Sequence, residues 1–178
     1  HKLILRRYKL LKRLVDLSIC VLGSVIISPL FFIISFLIRF TSRGPILYTQ
    51  KRLGVEGNYF YAYKFRSMVI DADTRLHKYL ENNPKAMNEW KQDHKLKNDP
   101  RITKIGKFLR KFSLDELPQI INVLKGDMSL VGPRPIVEEE IVKYKNVYNL
   151  YRKVRPGMTG LWQVSGRNNT TYDERINF

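Results

Sequence analysis

A chain of 178 residues is long enough for one domain, or for a small domain with an attachment. Its 32 Lys and Arg against 16 Asp and Glu give a formal charge of +16, which points to an anionic partner: nucleic acid, an anionic membrane surface or phosphorylated substrates. The single cysteine, Cys20, excludes an internal disulfide framework.

The first predicted element is Leu17 to Ile38, 22 residues without a charge. A bilayer core of about 30 Å takes about 20 apolar residues in a helix, so this reads as a membrane helix. It is too long for a secretory signal and lacks cleavage-site chemistry. A buried core helix is the alternative that its length disfavours. Ser28-Pro29 lies at its centre, where proline removes a hydrogen bond and crowds the preceding turn, so a kink is expected. Lys2, Arg6, Arg7, Lys9, Lys12 and Arg13 precede the segment; Arg39, Arg43, Lys51 and Arg52 follow it. Basic flanks prefer the cytoplasmic side. A hairpin that enters and leaves one leaflet satisfies both flanks, whereas a straight span leaves one outside. An ordinary kinked span stays open as the alternative.

From about Gly44 the chain reads as a cytosolic domain. Residues 46–68 predict a β-hairpin with its turn around Gly54 to Asn58. Tyr59, Tyr61, Tyr63 and Phe65 share one strand face; Phe60, Ala62, Lys64 and Arg66 share the other. On these residues alone, a solvated strand face explains Lys64 and Arg66. Asp71 to Leu96 is polar and helix-prone, interrupted by Asn82-Asn83-Pro84, and Asn98-Asp99-Pro100 marks a turn. Ile102, Ile105, Phe108, Leu109 and Phe112 then recur near helical spacing, opposite Lys104, Lys107, Arg110 and Lys111. Such a helix either lies in the headgroup layer or covers a protein core.

Leu117, Ile120, Ile121 and Leu124 form the next helical stripe, with Pro118 in the first turn and Gly126 as the stop. Asp115 and Glu116 fall at the start of this helix, where a cap and a dipole partner would explain both. Their company suggests more. Arg134 is held between Pro133 and Pro135, a rigid clamp for an anion. The glycine-rich run 155–167 ends in Arg167 and can bring backbone N–H groups and a guanidinium to a phosphate. Two carboxylates among phosphate-binding cations suggest a divalent metal and phosphoryl transfer.

Long motifs carry a resemblance over nearly the whole chain: KRLVDL at 12–17, the mid-segment Ser28-Pro29, QKRLG at 50–54 and YKFRSM at 63–68. They continue through NDPRITKIGKFLRKFSLDELPQIINVLKGDMSLVGPRP at 98–135 and RPGMTGLWQVSGR at 155–167. The chain resembles the bacterial sugar transferases, the monotopic polyprenyl-phosphate phosphoglycosyl transferases. That resemblance implies a mostly helical α+β fold. It has a re-entrant membrane helix broken at Ser28-Pro29, a small β-hairpin, amphipathic interfacial helices and a compact cytosolic catalytic domain. It divides the chain into 1–43, the basic N-terminus and membrane hairpin, and 44–178, the transferase domain. Transfer of a sugar-1-phosphate from a UDP-sugar to polyprenyl (undecaprenyl) phosphate is implied, at the cytoplasmic face of the bacterial inner membrane, as the first membrane step of glycan assembly. Asp115 takes the place of the nucleophile and Glu116 helps hold Mg²⁺. Lys64, Arg66, Arg110, Arg134 and Arg167 fall on basic substrate-binding positions. Membrane phospholipid is a further expected partner, a homodimer is compatible with the reading, and nucleic acid is not expected. Larger members carry spanning helices and a further domain, so a minimal member or a catalytic portion is implied. The competing reading is a membrane-tethered basic protein that binds nucleic acid or anionic lipid without catalysis. It leaves the acidic pair and the Pro-Arg-Pro clamp without purpose.

Overall fold

The uncharged run lies within α1, Arg6–Thr41, of a computed structural model that describes residues 6–93 and 96–161. Helical structure is continuous through Ser28 and Pro29, and the Ser28 hydroxyl donates to the Val25 carbonyl at 2.8 Å. α1 is long and apolar enough to cross a membrane. Leu22, Val25, Ile26 and Phe32 are each more than two-thirds exposed, which in water would be costly.

The remaining elements in chain order are β1 (Leu47–Leu53), β2 (Tyr59–Phe65), α2 (Ala72–Glu81), α3 (Pro84–Asp93), α4 (Lys104–Lys111) and α5 (Ile120–Lys125). β3 (Ser129–Val131), α6 (Ile141–Tyr144), α7 (Tyr148–Tyr151) and β4 (Gly157–Thr159) complete the described residues. The fold is thus mostly helical α+β with a small antiparallel hairpin, as expected. The chain forms two compact units, and α1 and the hairpin each contribute residues to both.

The first unit comprises His1–Pro29, Thr49–Lys64 and Pro118–Phe178. Cys20, Phe60, Ala62, Val123 and Met128 form its core, with Ile120, Leu130 and Met158 packed against them. A second cluster joins Leu53, Ile136, Tyr144 and Tyr151. The polar residues of the KRLVDL motif act as ties. Asp16 is only 4% exposed; it accepts from Lys12 Nζ at 3.2 Å, from Ser129 Oγ at 2.6 Å and from the Leu130 N–H at 3.3 Å. Arg13 donates to the Val123 and Leu124 carbonyls, placing a cation at the C-terminal end of α5, where the helix dipole favours it.

Local pattern misses two features of this unit. β3 and β4 pair in parallel, Ser129 with Gly157 and Val131 with Thr159, although the sequence assigns no strand to either segment. Parallel partners need a long crossover, so no adjacent turn signals them. α5 also buries a different face from the expected stripe. Asn122 and Val123 have no exposed surface, while Leu124 is 37% exposed. The residues just before α5 wind as a 3₁₀ helix, whose three residues per turn shift the phase of the stripe.

The second unit comprises Leu30–Tyr48 and Phe65–Leu117. Ile34, Ile38, Phe65 and Leu109 form its core, joined by Ile105, Leu114 and Leu117. α2 and α3 separate at Asn82-Asn83 as expected, and Pro84 opens α3. The apolar face of α4 divides. Leu109 is buried, whereas Phe108 and Phe112 are each 54% exposed, their rings tilted against each other with centroids 4.9 Å apart. Strand alternation stops with β2 at Phe65, so Arg66 does not continue the Lys64 face and is itself buried.

Candidate active site

Asp115 and Glu116 lie in the 3₁₀ helix Leu114–Gln119, both half-buried. Ser113 precedes it in the left-handed region at φ 56°, turning the chain out of α4. Leu114 and Leu117 flank the acids and pack into the second unit's core. The pair is therefore held between two hydrophobic anchors. It does not cap α5, whose N-cap is Gln119. Capping thus accounts for less of this pair than the sequence suggests.

Three residues before Ser113, in α4's last turn, the chain commits Arg110 to the same locality. Arg110 Nε donates to Ser67 Oγ at 2.8 Å. Desolvation lowers the Arg110 pKa, opposed by the carboxylates of Asp115 and Asp99. Gly106 makes this geometry available: a Cβ there would lie 1.9 Å from the Ser67 carbonyl oxygen, so only glycine lets α4 approach so closely. Thr103 caps α4 by accepting from the Gly106 N–H at 2.9 Å. Asp99 is buried and held by a fork from Arg101, with Nε at 2.9 Å and Nη2 at 2.7 Å. Burial raises its pKa, but the hydrogen bonds from Arg101 outweigh that and leave it lowered.

Arg66 sits beneath the C-terminal end of α1. Its Nη2 donates to the Ser42 carbonyl at 2.9 Å and hydroxyl at 2.6 Å, while Nε and Nη1 are enclosed without a hydrogen-bond partner. Desolvation lowers its pKa, and the Arg39 charge adds to the effect. Arg66, Arg110, Asp115 and Glu116 belong to the second unit; Lys64 and Arg134 belong to the first. Lys64 is half-buried on β2. Arg134 is half-buried between its prolines, and its carbonyl accepts from the buried Tyr151 hydroxyl at 3.1 Å. That hydroxyl also accepts from the Ile136 N–H at 3.3 Å, so one side chain secures the backbone on both sides of Pro135. Arg167 lies outside the described residues.

Sequence reading overlooks Ser67, Tyr151 and Asn122. Asn122 Oδ1 accepts from the Tyr63 N–H at 2.9 Å, and its Nδ2 donates to the Tyr61 carbonyl at 2.8 Å, fixing β2 to α5. A polar residue at a stripe's edge was its only signal. Among the described residues no group of three or more His, Cys, Asp or Glu side chains gathers for a metal. Two adjacent carboxylates nevertheless suit Mg²⁺, which commonly takes one or two protein carboxylates and completes its shell with water and substrate phosphates.

A family model described as bacterial sugar transferase matches residues 7–178. The undecaprenyl-phosphate galactose phosphotransferase of Salmonella typhimurium is 50% identical over 173 residues, 97% of this chain and 36% of that protein. The exopolysaccharide production protein ExoY of Sinorhizobium fredii is 45% identical over 167 residues, 94% of this chain and 74% of that protein. The UDP-glucose:undecaprenyl-phosphate glucose-1-phosphate transferase of Escherichia coli is 42% identical over 161 residues, 89% of this chain and 32% of that protein. The chain thus spans about a third of the Salmonella and Escherichia relatives and about three-quarters of ExoY.

Proposed function

Since the chain belongs to the bacterial sugar transferase family, we propose that it transfers a sugar-1-phosphate from a UDP-sugar to undecaprenyl phosphate, releasing UMP. The observation that carries this reading is the half-buried Asp115-Glu116 pair, anchored by Leu114 and Leu117 and coupled electrostatically to Arg110. The relatives' names speak of galactose and glucose, so the donor is a UDP-hexose.

The transfer divides into two displacements. A carboxylate oxygen of Asp115 attacks the donor phosphorus that bears the sugar. The bond from that phosphorus to the bridging oxygen breaks, and UMP leaves with the electron pair. An oxygen of the acceptor phosphate then attacks the same phosphorus, and the Asp115 carboxylate leaves. The product is polyprenyl-diphosphate-sugar, and Asp115 is restored. Arg110 offsets negative charge beside Asp115 so that an anionic donor can approach. Lys64, Arg66, Arg134 and Arg167 supply further cations to the phosphates. Glu116, with Asp115, would hold Mg²⁺, which when bound neutralises charge on the phosphoryl oxygens.

The reaction joins a soluble donor to a lipid acceptor, so the site belongs at headgroup height on the cytoplasmic face. α1 as a re-entrant helix would hold it there. Both ends of the apolar run support this. Asp16 and Cys20 pack with β3 and α5, while Ile34 and Ile38 pack with Phe65 and Leu109. All of these partners follow Gly44, in the part of the chain that reads as cytosolic.

Incubation with a panel of UDP-sugars, Mg²⁺ and polyprenyl phosphate should release UMP with a UDP-hexose. Asp115→Asn should remain folded and lose essentially all turnover. Without acceptor, wild-type protein should release up to one UMP per chain and carry the phosphosugar on Asp115, as read by mass spectrometry. An active Asp115→Asn variant would sink the covalent reading.

A further inference from the structure

The first unit contains a cavity of about 490 Å³ lined by neither Asp115, Glu116, Arg110 nor Arg134. α1 contributes Lys9, Lys12 and Arg13 to its wall, and the segment before β4 contributes Lys153 and Arg155. Asp16 and Asp127 are the acids in the lining, so cations outnumber carboxylates. Lys12 is paired with Asp16, but the other cations keep their charge. Arg13 and Arg155 donate to backbone carbonyls, which are neutral acceptors. Lys9 and Lys153 are exposed, and their ammonium groups have no ion pair or hydrogen bond among the described residues. A half-open concavity with an excess of positive charge is favourable for a phosphate.

The surface beside this cavity selects the kind of phosphate. Lys9, Lys12, Arg13 and Asp16 recur at i, i+3, i+4 and i+7, forming one stripe of α1. Leu10, Leu11 and Leu14 occupy the rest of these turns, each 60–62% exposed, and Leu10 also lines the cavity. Their apolar surface leads into the uncharged run of α1. A soluble phosphate would leave these leucines in water, whereas an amphiphile would satisfy the cations and cover the leucines together.

We propose that this cavity binds the headgroup phosphate of an anionic membrane phospholipid, with its acyl chains against Leu10, Leu11 and Leu14. The site is independent of the transfer reaction. It would fix the depth of α1 through a specific lipid in addition to general charge attraction.

The test titrates the full chain, in neutral detergent, with phosphatidylglycerol, and counts retained lipid by native mass spectrometry. One phosphatidylglycerol per chain should be retained in preference to phosphatidylcholine. Each lysine at a lipid phosphate contributes about fivefold in affinity, so Lys9→Ala with Lys153→Ala should weaken retention about thirtyfold. Lys85→Ala with Lys91→Ala, on the exposed face of α3, removes the same charge away from the cavity and should change retention less than about twofold. Equal loss in both pairs would reduce the effect to net charge and overturn the proposal, as would undiminished retention in the first pair. Displacement by millimolar inorganic phosphate would make the cavity a soluble-anion site. Displacement by equimolar polyprenyl phosphate would assign it to the acceptor. Either result also overturns the proposal.

Discussion

Tyr151 shows how a residue far from the chemistry can govern a candidate substrate contact. Its hydroxyl is buried among the Arg134 carbonyl, the Leu53 carbonyl and the Ile136 N–H. Burial pushes its pKa well above the ordinary tyrosine value, so it stays a neutral donor at any physiological pH. Tyr151→Phe keeps the ring packed against Tyr144 but leaves the Ile136 N–H without its acceptor. We expect a loss of about 2 kcal/mol in unfolding free energy, read by denaturant titration. The donor KM should rise several-fold, because the Arg134 backbone loses a support. A folded variant with unchanged KM would separate the Arg134 backbone from donor binding. The residue scale is also where legibility was most uneven. Arg134 stood out because two prolines bracket it, and Asp115-Glu116 stood out because the pair falls within a long motif rich in phosphate-binding cations. Tyr151 reaches Arg134 across 17 residues, and Ser67 reaches Arg110 across 43, distances at which spacing carries no signal.

Elements were legible where one local rule governed them. Asn82-Asn83-Pro84 divided α2 from α3, and Gly126 ended α5 in the left-handed conformation at φ 95°. Legibility failed where tertiary contact overrode period. α4 has apolar residues enough for one face, yet only its Leu109 edge is buried, because α4 packs on the rest of its unit along the line of Gly106 and Leu109. Phe108 and Phe112 are left outward, with lysines beside them, and fit the interfacial role expected for this helix. The close approach at Gly106 gives an element-scale prediction. Gly106→Ala would place a methyl within 1.9 Å of the Ser67 carbonyl oxygen, so α4 must shift. We expect a stability loss of about 2 kcal/mol and a large fall in turnover, because Arg110 and Ser113 move with the helix. Ser67→Ala removes only the hydroxyl that orients Arg110 and should lower turnover with little loss of stability. If Gly106→Ala keeps full turnover, α4 does not position the acidic pair.

At the scale of the whole molecule, the apolar run of α1 is bounded by two attachments. At one end Asp16 is tied to Ser129 and the Leu130 N–H, and Arg13 to the end of α5. At the other, Ile34 and Ile38 are buried against Phe65 and Leu109. Between them the side chains of Leu22, Val25 and Ile26 are exposed, and Pro29 lies inside the continuous helix. Charges repeat the pattern, with Arg7, Lys9 and Arg13 before the run and Arg39 and Arg43 after it. Among the described residues after Gly44 no second helix is long and apolar enough to cross a bilayer. The re-entrant path proposed for α1 would keep both basic flanks on one side. Single cysteines at Tyr8 and Arg43, in a Cys20→Ala background, should therefore both resist an impermeant thiol reagent in intact cells and both react after permeabilisation. Ser28→Ala with Pro29→Leu removes the mid-segment proline and its missing hydrogen bond and should let a fraction of molecules span, making position 8 reactive from outside. Reactivity at position 8 in the otherwise unchanged chain would establish a spanning helix and remove the re-entrant reading.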